Sequence, residues 1–154
     1  MIKILILNGP NLNLLGRRDP SIYGTTDLDT IIDDLSAYGR GLGASIAHFQ
    51  SNSEGVLIDK IQEATNAFDG IVFNPGALSH YSYALRDAIS SIDIPVIEVH
   101  ISNISARESF RNISVIAPVC IGQISGLGSE SYRLALDYFI RDLGKLNSDK
   151  DESI

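Results

Sequence analysis

The residues best suited to acid–base chemistry lie in a polar segment, residues 8–24, that follows an apolar stretch at the start of the chain. This segment contains Arg17, Arg18 and Tyr23. The phenol of a tyrosine ordinarily ionises at about pH 10, and an adjacent guanidinium favours its charged form. Because a phenolate is a stronger base than a carboxylate, such a pair could remove a proton beside a carbonyl. The alternative is a Tyr-Gly turn whose ring packs on the helix below.

A second group of polar residues surrounds His100. Glu98 and His100 are two positions apart on a predicted strand, so their side chains share a face. A carboxylate placed there could orient the imidazole as a general acid. The amides of Ile101 and Ser102, where the strand turns into a loop, could bind a carboxylate. The alternative is a histidine that only closes a strand with a hydrogen bond.

Two further polar groups follow predicted strands. Asn74 and His80 flank a Pro-Gly break, and Ser79 is predicted to cap the next helix. Arg107 and Arg111 are four positions apart, which places both guanidiniums on one face of a helix. They could grip an anion or hydroxyl groups, or they could pair with surface acids.

Apolar stretches alternate with helical periodicity along the chain, which predicts an α/β fold with a parallel sheet. Five strands favour a flavodoxin-like three-layer sandwich with the order 2-1-3-4-5. We predict one domain over residues 1–146 and a disordered polar tail at 147–154. The predicted strands are 2–7, 44–50, 70–74, 95–100 and 119–124, and the predicted helices are 28–42 (ended by Gly43), 54–68, 79–89 and 130–143.

The polar groups named above therefore follow strand ends. The carboxyl ends of parallel strands meet at one edge of the sheet, so these groups are predicted to converge on a single rim. The loop after the first strand matches neither a dinucleotide-binding nor a phosphate-binding glycine motif. Gly126 and Gly128 form only a weak glycine pair. The three histidines and one cysteine show no metal-ligand spacing, so no metal site is predicted.

Composition narrows the class of protein. The chain has 154 residues, 44% of them apolar and 20% charged, with a net charge of −7. This acidic balance argues against nucleic acid or an anionic membrane as partner. The single cysteine, Cys120, excludes an internal disulfide, suits a reducing compartment and is predicted to be an inert thiol in a buried strand. Every apolar run is shorter than the about 18 residues that a membrane span needs. The first residues are not predicted to form a secretory signal. These features predict a cytoplasmic protein.

Four separated motifs together resemble the type II 3-dehydroquinate dehydratases of the shikimate and quinate pathways. The resemblance covers about residues 2–143 and is specific only because all four motifs occur together. The motifs are Asn8-Gly-Pro-Asn-Leu-Asn-Leu-Leu-Gly through Tyr23-Gly24, Gln50-Ser-Asn-Ser-Glu-Gly55, Asn74-Pro-Gly-Ala-Leu-Ser-His80, and Glu98-Val-His-Ile-Ser-Asn-Ile104 with Arg107-Glu108 and Phe110-Arg111.

The resemblance implies a cofactor-free anti elimination of water from 3-dehydroquinate, through an enolate, to give 3-dehydroshikimate. It implies that Tyr23 removes the proton beside the ketone, that Arg18 keeps Tyr23 ionised, and that His100 protonates the leaving hydroxyl. The other implied roles are enolate stabilisation by Asn11 through a water; carboxylate binding by the amides of Ile101 and Ser102; hydroxyl binding by Asn74, His80 and Arg111; and a contribution of Asp87 to a neighbouring subunit's site in a homododecamer, a tetramer of trimers.

The chain departs from the family pattern at Asp19, at Leu78-Ser79-His80-Tyr81 and at Ser131. None of these departures removes a catalytic position, so any effect is expected on loop closure and affinity rather than on the reaction. Two other functions remain open on the residues alone. One is a flavodoxin-like domain that binds a nucleotide or flavin, with Gly126 and Gly128 at the phosphates. The other is a binding or assembly domain without dehydratase activity whose rim holds a small organic acid.

Overall fold

A five-stranded parallel sheet with the order β2-β1-β3-β4-β5 forms the centre of the fold. The computed structural model describes residues 1–151, with side chains through Lys145. The central strands are almost entirely apolar and buried, as expected when helices cover both faces of a parallel sheet. The predicted fold class and strand order are therefore confirmed. The strands are β1 (Ile2–Asn8), β2 (Ala44–Gln50), β3 (Gly70–Asn74), β4 (Val96–His100) and β5 (Gly122–Ser125).

Helices cover the two faces of the sheet and produce two hydrophobic clusters. The first cluster combines α2 and α5 with one face, and its fully buried members include Ile4, Ile6 and Phe139. The second combines α3 and α4 with the other face around Leu57 and Phe73. Within the described residues, no helix is both long and apolar enough to cross a membrane. The helices are α1 (Pro20–Tyr23), α2 (Leu28–Gly41), α3 (Glu54–Ala64), α4 (Tyr83–Ser90) and α5 (Glu130–Asp151).

Element boundaries differ from the sequence predictions where a local cap or turn intervenes. A 3-10 turn, Gly76–His80, precedes α4, and the cap of α4 is Ser82, whose Oγ accepts from the Leu85 amide at 3.1 Å. Ser79 is instead fully buried. The last strand begins at Gly122 rather than at residue 119, because residues 117–119, which include a proline, form a 3-10 turn.

The end of the chain also differs from the prediction. The last helix extends to Asp151, beyond the predicted end at residue 143 and into the segment predicted to be disordered. Residues 152–154 lie outside the described part of the chain. The single domain over residues 1–146 stays a prediction, and so does disorder at residues 152–154.

The loops after β1 and β3 meet closely at the carboxyl edge of the sheet. The Gly9 amide donates to the Asn74 carbonyl at 2.8 Å. A Cβ atom on residue 9 would lie only 2.6 Å from the Pro75 carbonyl oxygen, so the approach requires glycine. This contact fixes the distance between the first polar loop and the loop that carries His80.

Candidate active site

An open pocket lies at the carboxyl edge of β1, β3 and β4. It contains the sequence-predicted site residues except Asp87, which is exposed on α4. The predicted convergence on one rim is therefore confirmed. Its walls are formed by Pro10, Asn11, Leu12, Arg18, Tyr23, Asn74, Gly76, Ala77, His80, His100, Ile101, Ser102, Ile104, Arg107 and Arg111.

Residues 8–24 form a lid over this pocket and bring Tyr23 into it. The short helix α1 begins after Asp19, whose φ of 30° is unusual for a residue other than glycine, and it ends at Gly24 with φ 78°. The half-buried Tyr23 ring packs against the first hydrophobic cluster. The Tyr23 ring is thus packed, as the alternative of a Tyr-Gly turn predicts. Its hydroxyl group nevertheless lies in the pocket with the guanidiniums of Arg18 and Arg107.

Two guanidiniums contact Tyr23, and they do so in different ways. Arg107 Nη1 donates a hydrogen bond of 2.7 Å to Tyr23 Oη and one of 3.2 Å to Ser102 Oγ. The guanidinium carbon of Arg18 lies over the ring, 4.6 Å from its centroid. A cation that donates to the phenol oxygen stabilises the phenolate directly, whereas a cation over the ring face also interacts with the ring itself.

The direct partner of Tyr23 was missed by the sequence reasoning. That reasoning named Arg18 as the activating cation and treated Arg107 only as part of a pair with Arg111. The sequence signal that could have identified Arg107 is its position after β4, on the same rim as Tyr23. Arg107 and Arg111 do not share a helix, because Arg107 follows one 3-10 turn (Ile104–Ala106) and Arg111 belongs to another (Ser109–Asn112). Both nevertheless reach the pocket.

Arg17 and Arg18 lie on different sides of the lid. Arg18 is half-buried in the pocket, whereas Arg17 is exposed and lines a separate cavity with Asp27 and His48. The structure therefore places Arg18, rather than its neighbour, beside Tyr23.

Opposite the lid, His100 is held by a buried carboxylate. Its Nε2 lies 2.5 Å from Oε2 of Glu98, a residue with no solvent exposure. Glu98 also accepts hydrogen bonds from Ser114 Oγ at 2.6 Å and Gln123 Nε2 at 2.8 Å. The predicted contact between Glu98 and the imidazole of His100 is therefore confirmed. The carboxylate holds the ring in place within the pocket wall.

A second imidazole, His80, stacks on His100 with ring centroids 6.2 Å apart. Its Nδ1 lies 2.8 Å from the carbonyl of Ile113, which can only accept, so Nδ1 carries a proton. Burial lowers the pKa of His80, which favours the neutral ring near pH 7. Nε2 of that ring is then an acceptor, suited to a ligand hydroxyl.

The remaining wall offers donors to an anion. Among residues 1–151, no loop or turn hydrogen bond is donated by the backbone N–H groups of Ile101 and Ser102. The carbonyl of Ile101 does accept a hydrogen bond, from the backbone N–H of Gly128. Arg111 lines the pocket while its Nε pairs with Glu108. The predicted pairing of this arginine with a surface acid is confirmed, whereas its grip on an anion or hydroxyl groups stays a prediction.

The two asparagines of the site are held by hydrogen bonds. Asn74 Nδ2 donates to Tyr132 Oη at 2.8 Å, and its Oδ1 accepts from the Gly76 amide at 3.2 Å. Asn11 has a φ of 70°, and its amide donates to Asn52 Oδ1 at 3.0 Å. The contacts of Asn74 position its side chain before any ligand binds, whereas the contact of Asn11 fixes its backbone.

Cys120 lies outside this pocket. It is a partly buried free thiol just before β5, not inside a strand as predicted. Burial and the nearby charge of Glu98 raise the pKa of Cys120 to about 12, so the thiolate is scarce at neutral pH.

Comparisons with known proteins agree on one family. The family model described as dehydroquinase class II matches residues 2–140. A 3-dehydroquinate dehydratase from Bacillus licheniformis is 58% identical over 145 residues, which cover 94% of this chain and 100% of the relative. The type II dehydroquinase structure from Butyrivibrio crossotus is 52% identical with a TM-score of 0.87, covering 89% of this chain and 96% of that one. The type II dehydroquinase from Propionibacterium acnes is 46% identical with a TM-score of 0.89, covering 92% and 97%.

Proposed function

The chain belongs to the class II dehydroquinase family, and we propose that Tyr23 and His100 divide between them the elimination of water from 3-dehydroquinate. The reaction of this chain is that dehydration, which gives 3-dehydroshikimate. The observation that carries the assignment of roles is an arrangement across one pocket: a tyrosine hydroxyl bonded to a guanidinium faces a histidine bonded to a buried carboxylate.

In the first step, the Tyr23 phenolate takes the proton from the carbon beside the ketone. The electron pair of the broken C–H bond moves into the carbonyl and leaves a negative charge on the enolate oxygen. Arg107 donates to Tyr23 Oη and leaves another lone pair of this oxygen free to accept the proton. Asn11, at the pocket wall, stabilises the enolate.

In the second step, the enolate collapses and expels the hydroxyl group from the next carbon. The protonated His100 ring gives its proton to this hydroxyl, which leaves as water while the C–O bond breaks and an enone forms. Glu98 stabilises the positive ring before the transfer. Tyr23 ends the cycle protonated and His100 neutral, so proton exchange with solvent restores both.

Substrate binding is assigned to the rest of the wall. The Ile101 and Ser102 amides receive the carboxylate, a local solution to binding an anion in a chain of net charge −7. Asn74, His80 and Arg111 bind the hydroxyl groups. His80 suits this role because its neutral ring presents an acceptor.

Replacement of the two arginines tests how Tyr23 is activated. Arg107→Met should lower kcat about 10- to 100-fold, the equivalent of one charge-assisted hydrogen bond. Arg18→Met should lower it about 3- to 30-fold, as expected for a cation over a ring. In both variants KM should change little, because the lost cation contacts the proton-abstracting tyrosine rather than the groups assigned to substrate binding. Steady-state kinetics measures both effects.

Arg17→Met is the matched control for these variants, since Arg17 is an exposed lid arginine outside the pocket. Its kcat and KM should equal those of the wild type. An unchanged kcat in Arg107→Met would remove this arginine from the activation of Tyr23.

The enone product provides the direct test of the activity. Mixing the purified protein with 3-dehydroquinate should produce growing ultraviolet absorbance, because the product conjugates its new double bond with the carbonyl. No absorbance change at high enzyme concentration, from folded protein, would refute the dehydratase activity. A nucleotide or flavin that copurifies with the protein would favour the flavodoxin-like alternative.

Self-association as a homododecamer of four trimers is also proposed. It is supported by the exposed Asp87, which would reach a neighbour's site, and by apolar side chains beside the pocket. Tyr81, Tyr83, Phe110 and Ile113 are between 58% and 68% exposed, which favours burial against another copy. Sedimentation analysis would measure the assembly.

A cytoplasmic location is proposed because the single cysteine is a free thiol.

A further inference from the structure

Four side chains form a continuous hydrogen-bonded chain from a second cavity to the active site. His48 Nε2 lies 3.0 Å from Asn8 Nδ2, Asn8 Oδ1 accepts from Tyr132 Oη at 2.6 Å, and Tyr132 Oη accepts from Asn74 Nδ2 at 2.8 Å. Asn8 and Tyr132 have no solvent exposure, and Asn74 is 3% exposed. We call this set the His48 chain. His48 belongs to β2, Asn8 to β1, Tyr132 to α5 and Asn74 to β3.

The direction of every hydrogen bond in this chain is determined at its active-site end. The backbone amide of Gly76 can only donate, so Asn74 Oδ1 accepts and Asn74 Nδ2 must donate to Tyr132. Tyr132 then directs its own proton to Asn8 Oδ1, and Asn8 Nδ2 donates to His48 Nε2. His48 Nε2 must therefore be an acceptor, and the proton of the neutral ring must be on Nδ1.

Protonation of His48 conflicts with this order. A charged ring places an N–H group opposite the Asn8 amide N–H, so one donor must lose its partner or the Asn8 amide must rotate. Rotation would aim two donors at Tyr132 Oη and leave the Tyr132 proton without an acceptor. Because these groups are buried, each mismatch carries a large penalty.

We propose that neutral His48 is a positioning residue that acts through Asn8 and Tyr132 to hold the Asn74 amide in its substrate-binding orientation. The inference rests on the proposed function only in assigning a hydroxyl-binding role to Asn74. His48 itself touches neither the pocket nor the lid tyrosine. It lies in the separate cavity beside Arg17, Asp27 and Asp29.

The surroundings of His48 are compatible with a neutral ring. Burial lowers its pKa, and the charge of Asp29 opposes this shift. Asp27 and the cation Arg17 also face this cavity. Since the folded state binds the proton less readily than the unfolded chain, the stability contributed by the neutral ring is present above the ordinary histidine pKa. It is lost as the pH falls through that value toward the lowered one.

A double-mutant cycle tests the connection. His48→Leu removes the acceptor at one end, and Tyr132→Phe removes the central hydroxyl. Each variant should raise KM about three- to tenfold with little change in kcat, the equivalent of one misdirected hydrogen bond. In the double variant KM should rise no further than in the more affected single variant, because both break the same chain. Multiplied effects would overturn the proposal.

Two variants of the same strand provide the controls. His48→Gln keeps an acceptor that does not titrate, so it should restore KM at neutral pH, and below pH 6.5 its KM should rise less than that of the wild type, because only His80 still titrates among the substrate-binding contacts. The wild-type KM should rise there. Ser45→Val changes a half-buried residue of β2 outside the His48 chain and should behave as the wild type. If Ser45→Val raises KM as much as His48→Leu does, the effect is a general disturbance of β2 and the proposal fails.

A measurement independent of activity separates this inference from the proposed function. Ring nitrogen NMR of protein labelled with ¹⁵N-histidine, with His48 assigned from the His48→Gln spectrum, should show a neutral ring protonated at Nδ1 at pH 7. A proton on Nε2, or a charged ring at this pH, would overturn the proposal even in a fully active enzyme. The expected spectrum together with a failed enone assay would refute the dehydratase function and leave the His48 chain intact.

Discussion

Tyr23→Phe is expected to lower kcat by about 10²- to 10⁴-fold, the usual contribution of a positioned general base. The phenol oxygen is the only atom removed, so no base remains at the position that faces the two guanidiniums. The ring should keep its packing against the first hydrophobic cluster, and the groups that bind carboxylate and hydroxyls are elsewhere on the wall. Substrate affinity should therefore change by less than about fivefold. Enone absorbance gives kcat, and calorimetric titration gives the affinity.

Tyr138→Phe is the matched control, because it removes the hydroxyl of a partly exposed tyrosine on α5, away from the pocket. Its kcat should equal that of the wild type. Near wild-type turnover in Tyr23→Phe would assign proton removal to another group. A large loss of affinity without a loss of kcat would make Tyr23 a binding residue.

His100→Ala is expected to lower kcat by about 10²- to 10⁴-fold as well, because the hydroxyl would have to leave without a proton. The substitution also deprives the buried Glu98 of one partner, although Ser114 and Gln123 still donate to it. Steady-state kinetics with and without added imidazole tests the role of the ring, since a small imidazole that enters the vacated space should restore part of the rate.

His80→Ala is the comparison for this variant. His80 stacks on His100 but has no buried carboxylate partner, so its removal should raise KM more than it lowers kcat. If His100→Ala changes kcat little and His80→Ala changes it greatly, the acid role belongs to His80. Circular dichroism spectra of both variants would show whether the fold is retained.

The strands and the position of the site follow from simple sequence patterns. The predicted strands 44–50 and 70–74 match β2 and β3, because turn residues at both ends of an apolar run define where the strand begins and ends. Convergence of the polar groups follows from parallel pairing alone, which directs Asn8, Asn74 and His100 to one edge. The roles of Tyr23 and His100 came from a family resemblance.

The contacts between loops could not be predicted in this way. Arg107 and Tyr23 are 84 residues apart, and the 3-10 turns that bring them together have no periodic signature. The cap of α4 was misplaced because a 3-10 turn shifts the helix start past Ser79. The sequence carries no signal for a role of His48, because its link to the site passes through the side chain of Tyr132, far away in sequence.

Deuterium incorporation into the substrate tests most directly whether Tyr23 removes the proton and His100 acts afterwards. His100→Ala should still form the enolate, so 3-dehydroquinate recovered from D₂O should contain deuterium beside the ketone at a rate well above that in buffer. Tyr23→Phe should show only the buffer rate. Incorporation by Tyr23→Phe equal to that by His100→Ala, or none above the buffer rate in His100→Ala, would contradict this division of roles.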